Sequence, residues 1–236
     1  FHTNSDKLYQ IEMDQVYDGQ LYHVNVTAWP CAPSWKDEIP EVVDATRFGS
    51  CGTRSFRYGD NAFIEDNVKA VDPSFFTMFD FELLYGDKNS VLRDPFSVVI
   101  DEATSIKYFG RKNPIGEVLS VDTQLNLTVS GVFNNTPRNS SIDPKILVSI
   151  EFAKKLGKYD DNWGTNMIRT YVLLHKNADQ VEVNRKLTEV ASSHHDEPRT
   201  EKFIVAPLTG IHLHEYWGFN KGGEALVRLY MFSIIA

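Results

Sequence analysis

The chain is 236 residues long, 42% hydrophobic and 24% charged, ordinary proportions for a globular protein with a real core in one large domain or two modest ones. Its formal net charge of -8 and pI near 5.4 argue against a nucleic-acid partner, which would need a basic stripe to neutralise phosphates, and against a polybasic membrane anchor. Its two cysteines, Cys31 and Cys51, are too few for a four-ligand zinc site; an extracytoplasmic location would permit a disulfide between them, and a reducing one would leave two small core residues.

In chain order, Lys7–Met13 alternates apolar and polar residues, the mark of a half-buried strand, and Leu21–Ala28 does the same after an Asp18-Gly19 turn. A short helix is expected over Pro33–Ile39, a strand over Pro40–Phe48, a turn at Gly49–Gly52 and a strand over Thr53–Tyr58. A hairpin turn at Gly59, Asp60 and Asn61 leads into Ala62–Val71, which completes a meander. Val71–Asp87 is the stretch around which the rest is organised. There Asp72 is placed to cap a short helical turn, Pro73 suits its first position, and Phe75, Phe76 and Phe79 reach one buried face. Gly86 ends the stretch with a residue that tolerates positive φ. The stretch holds no nucleophile, base or ligand set and reads as a hydrophobic plug between layers of a core.

Further on, Ser97–Ile100 is a short buried strand, and Asp101 opens a helix over Glu102–Phe109 that Gly110 stops. A turn at Asn113–Gly116 precedes strands at Glu117–Val121 and Leu125–Phe133; Ser140–Phe152 is a strand leading into a helical turn, and Lys154–Asn166 a polar loop. Thr170–His175 is a strand, Ala178–Ser192 a helix with Val181, Leu187 and Val190 as its apolar stripe, and Lys202–Pro207 the next strand. The last run, Gly223–Ala236, is apolar all round, which fits either a core helix or the opening turns of a transmembrane helix with Arg228 at the interface; the second is adopted. The pattern as a whole is α+β, with strand–helix–strand units near both ends around a strand-rich block. It predicts two lobes, a discontinuous one over 1–72 and 167–215 and an inserted β-rich one over 73–166, with 223–236 as the start of the membrane helix.

The chemistry-bearing residues are few. His212 and His214, at i and i+2, share one side of a strand and are the candidate metal ligands, with His194 and His195 as further donors. The alternative, a polar strand leading to a membrane surface, is the one adopted, so no metal and no cofactor are expected. Asp101 is better explained as a helix cap than as half of a carboxylate pair with Glu102, and Asp160-Asp161 lacks the order of a calcium loop. No phosphate loop, nucleophile elbow or zinc-protease motif occurs, so the chain is not expected to be an enzyme or to hydrolyse ATP.

The wording of two blocks goes further. Val71–Asp87 follows V-D-P-x-F-F-x-M-F-x-F-x-L-L-x-G-D. Val98–Leu119 follows V-V-I-D-E-A-x-x-x-x-Y-F-G-x-x-x-P-I-G-E-x-L, and Leu127–Pro137 follows L-x-V-x-G-V-F-x-x-T-P. Both blocks resemble the MacB-like periplasmic core domain, which sits between the first two membrane helices of FtsX/MacB-type ABC transporter permeases; the version here looks most like those of Bacteroidota. The resemblance covers most of the chain, strongest at 62–137 and weakest at 14–60 and 153–168. It implies a porter-like lobe interrupted by a β-rich insertion, placed on the periplasmic side of a bacterial inner membrane and tied to it by flanking helices. It also implies a permease homodimer or heterodimer, a separate ATP-binding subunit or domain, a periplasmic or outer-membrane partner in some members, and a role in export or transmembrane mechanical signalling. Two other readings compete. One is a free-standing periplasmic ligand-binding protein with Trp29, Trp35, Trp163 and Trp217 lining a cleft; the other is a secreted metallohydrolase built on the histidines.

Overall fold

Stretches with a period of two become strands and those with helical period become helices, giving the α+β arrangement expected. A computed structural model of the chain describes residues 4–110, 112–137, 140, 142–196 and 200–210. The expected membrane-helix segment 223–236 lies outside the described residues. The first elements are β1 (Leu8–Tyr17), β2 (Gln20–Val24), α1 (Cys31–Glu38), β3 (Val42–Ser50), β4 (Arg54–Tyr58), β5 (Asn61–Glu65) and β6 (Val68–Val71). A single turn of helix, α2 (Phe75–Met78), leads to β7 (Leu83–Tyr85), β8 (Ser97–Asp101), α3 (Glu102–Phe109), β9 (Val118–Val121) and β10 (Leu125–Phe133). The chain continues through β11 (Ile146–Ser149), α4 (Ile150–Lys155), β12 (Arg169–Leu174), α5 (Gln180–Ser193) and β13 (Lys202–Pro207).

These elements form two compact units, one from the segments up to Ala45 and from Asp161 onward, the other Thr46–Asp160. The division therefore falls inside the first segment expected from sequence, 1–72, and a few residues before 167. The reason is pairing at long range. Residues 46–71 hydrogen-bond to the later block: β6 runs parallel to β11 from Val68↔Ile146 to Val71↔Ser149, and β4 pairs with β9 at Phe56↔Val121.

In the first unit the strands lie in the order β13–β1–β12–β3, with β1 antiparallel to both neighbours. The two strand–helix–strand units, β1–α1–β3 and β12–α5–β13, thus interleave as in a split βαβ sandwich. Both helices cover one face. Cys31, Ala32 and Trp35 of α1 and Val183, Leu187 and Ala191 of α5 are buried in one cluster with Ile11, Met13, Val172, Leu174, Phe203 and Val205. Trp35 is wholly buried, and its indole N–H donates to the Leu187 carbonyl at 3.0 Å, a bond that fixes the two helices together. The stripe of α5 differs from the expected one: Val181 is 78% exposed, and the buried line is Val183, Leu187 and Ala191 at successive i, i+4 spacings. Val181 stands two residues from Val183, about 200° around the helix, and so faces water.

In the second unit the order is β3–β6–β11–β8–β10–β9–β4–β5, with β7 against β10. β8 and β11 are buried at every position and carry the apolar runs Val98–Ile100 and Ile146–Val148, as strands covered on both faces do. The plug sits in this unit. Phe75, Phe76 and Phe79 are 0%, 3% and 0% exposed, and the Phe75 ring contacts those of Phe48, Phe76, Phe79 and Phe81 with centroids 5.0 to 6.1 Å apart. Its exit depends on Gly86, at φ +97, where an added Cβ would come within 2.6 Å of the Ser130 carbonyl oxygen. Asp72 is used differently from the sequence expectation. Its side chain does not cap α2; it accepts three bonds from Arg47.

Replacing Phe79 by Ala should cost about 3–5 kcal/mol in urea unfolding, since a large buried ring is lost with little room to relax. Val181→Ala, at an exposed position, should stay within about 0.5 kcal/mol of the parent, and equal effects of the two changes would contradict this packing.

Candidate functional site

Polar clusters, rather than a pocket, are the distinctive chemistry of the described residues. The first lies on the β1–β2 hairpin. Asp18 and Gly19, with φ of 50° and 73°, close it as a two-residue turn, and the register then sets Asp14 opposite His23 and Val16 opposite Leu21. His23 Nδ1 lies 2.6 Å from an Asp14 carboxylate oxygen and Nε2 lies 2.7 Å from one of Glu12. A neutral imidazole has one N–H and can donate to only one of them, whereas the protonated ring donates to both. The hydrogen bond with Glu12, helped by that with Asp14, accordingly holds the His23 pKa above the usual histidine value, although partial burial pulls the other way.

The second cluster is Arg47 with Asp72. The carboxylate takes the Arg47 backbone N–H at 2.7 Å, Nε–H at 3.0 Å and Nη2–H at 2.6 Å. The guanidinium is also 5.9 Å from the centre of the Tyr159 ring, which Lys154 Nζ approaches to 4.6 Å. The third is Asp101, wholly buried, which accepts the Thr104 N–H at 2.8 Å and so caps α3 as the sequence predicts. Lys145 Nζ stands 3.5 Å from its other oxygen, so the buried carboxylate is not left as a lone charge.

No metal centre is assembled among the described residues. His212 and His214 lie outside them. His194 is stacked on Trp163, centroids 3.9 Å apart and planes 9° from parallel, an arrangement that serves packing. No group of three His, Cys, Asp or Glu side chains there converges on a point where an ion could sit; in the His23 cluster the carboxylates meet different ring nitrogens. The hollow bordered by Trp163, Asn166, Ser192, His195, Glu201 and Phe203 holds no more than a water molecule, far below what a metabolite needs. Trp29 and Trp35, expected as possible cleft linings, are core residues exposed by 1% and 0%.

Neither the His23 cluster nor the Arg47–Asp72 pair is among the expected site residues. A signal for the first is present: a two-residue Asp18-Gly19 turn pairs Tyr17 with Gln20 and therefore Asp14 with His23. For the second there is none, since 25 residues separate the partners.

Cys31 and Cys51 are free thiols, both buried. Burial pushes the first up to about 12 and the second to about 11, so neither ionises near neutral pH. A thiol reagent should leave both nearly untouched in the folded protein and titrate two thiols per chain in denaturant; titration of none in denaturant would mean that the two are bonded.

The family described as the MacB-like periplasmic core domain matches residues 2–190. Among solved structures, a domain assigned to a permease protein of Porphyromonas gingivalis is similar at 23% identity and a TM-score of 0.75, over 98% of each chain. The periplasmic region of MacB from Actinobacillus actinomycetemcomitans follows at 15% identity and 0.61, covering 87% of this chain and 91% of that one. The extracellular domain of the noncanonic ABC-type transporter YknZ from Gram-positive bacteria gives 15% and 0.58, covering 83% and 98%. No curated protein matches the chain.

Proposed function

The chain belongs to the MacB-like periplasmic core domain family, and from that premise we propose that it is the extracytoplasmic part of a bacterial ABC-transporter permease subunit that moves in response to ATP hydrolysed elsewhere. The match over residues 2–190 carries this reading, because it spans elements of both compact units. The role is mechanical. The polar clusters of the described residues are internal fastenings: the ionised side chains pair with one another, and none is arranged as a nucleophile with a base.

In this reading the domain lies on the periplasmic side of the inner membrane. The permease works as a homodimer or heterodimer with an ATP-binding subunit or domain in the cytoplasm. The unit built from both ends of the chain is the porter-like lobe and Thr46–Asp160 the inserted one, and a periplasmic or outer-membrane partner docks on the assembly in exporting members. None of the described helices is long and apolar enough to cross a membrane, so in the parent protein the spans come from other segments. The reading as a free-standing ligand-binding protein gains nothing from a hollow of water size, and the metallohydrolase reading nothing from a histidine stacked on tryptophan.

A cysteine placed at Asp60, at the exposed turn between β4 and β5, tests the location in the parent protein. A membrane-impermeant maleimide should label D60C in cells whose outer membrane alone has been opened, while the buried native thiols stay silent. Labelling only after lysis would overturn the assignment. Removing residues 4–210 from the parent should leave ATP hydrolysis in place and abolish the transport or signalling output.

A further inference from the structure

We propose that His23 is a proton-operated latch on the β1–β2 hairpin: the charged ring ties β2 to two carboxylates of β1, and loss of the proton releases one tie and loosens the hairpin end. The topology makes this possible. β1 pairs with β12 only over Leu8–Gln10 and with β13 only over Tyr9–Asp14. Beyond Asp14 its ladder partner among the described strands is β2 alone, from Gln15↔Tyr22 to Tyr17↔Gln20. The ladder there is only two strands wide, and a two-stranded ribbon has little stability of its own.

The latch sits at its root. Ile11, Met13 and Val24 turn into the cluster under the helices, so Glu12, Asp14 and His23 occupy the opposite face. Further out on that face are Val16 and Leu21, a cross-strand aliphatic pair 47% and 67% exposed. Exposed aliphatic neighbours contribute little to holding strands together, so on this face the ring is the firm contact nearest the tip; on the other face Tyr22, opposite Gln15, is partly buried against the cluster under the helices. With the ring neutral, one carboxylate faces a nitrogen lone pair, and Glu12 and Asp14, two residues apart on one face, repel each other without a cation between them.

Other charged groups face the cluster from the neighbouring strands. Lys202 of β13 is the ladder partner of Asp14, and Arg169 at the start of β12 lies on the same sheet face as Tyr171, the partner of Gln10. Both temper the repulsion between the carboxylates. Lysine and arginine keep their charge through the neutral range, however, so the imidazole is the group that switches there. Because folding raises the pKa of the ring above its ordinary value of 6.5, the fastening is complete below that value and is lost as pH rises through the folded one. The presentation of the Val16–Leu21 tip then follows the proton activity of the surrounding compartment.

NMR on the whole chain tests this. The His23 ring shifts and the amide exchange of Gln15–Tyr22, corrected for intrinsic rates, would be followed between about pH 6 and about pH 9. The ring should titrate above the ordinary histidine value. Protection of these amides should fall by up to about tenfold per pH unit through that transition, while amides of β12 and β13 hold steady. His23→Gln should remove the pH dependence, and Glu12→Gln should lower the ring's pKa. Titration at or below the ordinary value, a wild-type pH dependence retained in H23Q, or an unmoved ring in E12Q would each overturn the proposal. Should H23Q fail to fold, the wild-type and E12Q titrations still decide.

Discussion

Three hydrogen bonds from Arg47 to one carboxylate, that of Asp72, form the interaction on which the second unit depends. Arg47 is the second residue of that unit and Asp72 the residue where β6 gives way to the plug, so the pair fixes the entering strand to the start of the aromatic cluster. Tyr159, at the other end of the unit and one residue before its boundary, lies against the same guanidinium. Arg47 is 9% exposed, and at that burial a charge must be paired; here each donor that faces the carboxylate has good geometry, the condition under which such a pair repays its desolvation. Loss of either partner would strand a charge in the interior, which costs far more than the net worth of the pair.

How much of this was legible in the sequence follows from the range of the forces involved. Local rules placed local features well. Asp101 caps α3 and accepts the Thr104 N–H, β13 covers Lys202–Pro207, and Gly86 has the positive φ that its place after the plug required. These depend on residues three or four apart, or on the conformational freedom of one residue. The stripe of α5 went astray at Val181 while Leu187 and Val190 do pack on the cluster: Val181 is apolar, but angle and not hydrophobicity decides which side chains a neighbouring sheet covers. Asp72 looked like a cap because a nearby backbone is always available, and its actual partner lies 25 residues back. The compact units divide elsewhere than at residue 72, since β6 lies where its ladder with β11 holds it.

Identity of 15 to 23% with structures of the same architecture fits this division of labour. A fold held by double-sided strands such as β8 and β11, and by an aromatic plug, asks for volume and apolarity at many positions and for specific chemistry at few. Those few are backbone constraints such as Gly86 and buried charges such as Arg47, Asp72 and Asp101. Close-packed layers of this kind pass strain on instead of absorbing it.

The hairpin is the exception to that stiffness, and its place on β1 sets how far its loosening can reach. β1 has 10 residues and serves three partners: β12 along its first part, β13 along its middle, and β2 at its end. Opening the β1–β2 ladder outside Asp14 breaks no pair with β12 or β13, and Ile11 and Met13 stay under the helices. The transition is therefore a local unfolding, with a free energy below that of the whole unit, and such openings are the ones a small energy source can drive. One proton on one imidazole is a source of that size. Its effect is confined to the strand pair whose carboxylates it bridges, which is why a single titrating side chain can govern the tip without threatening the fold.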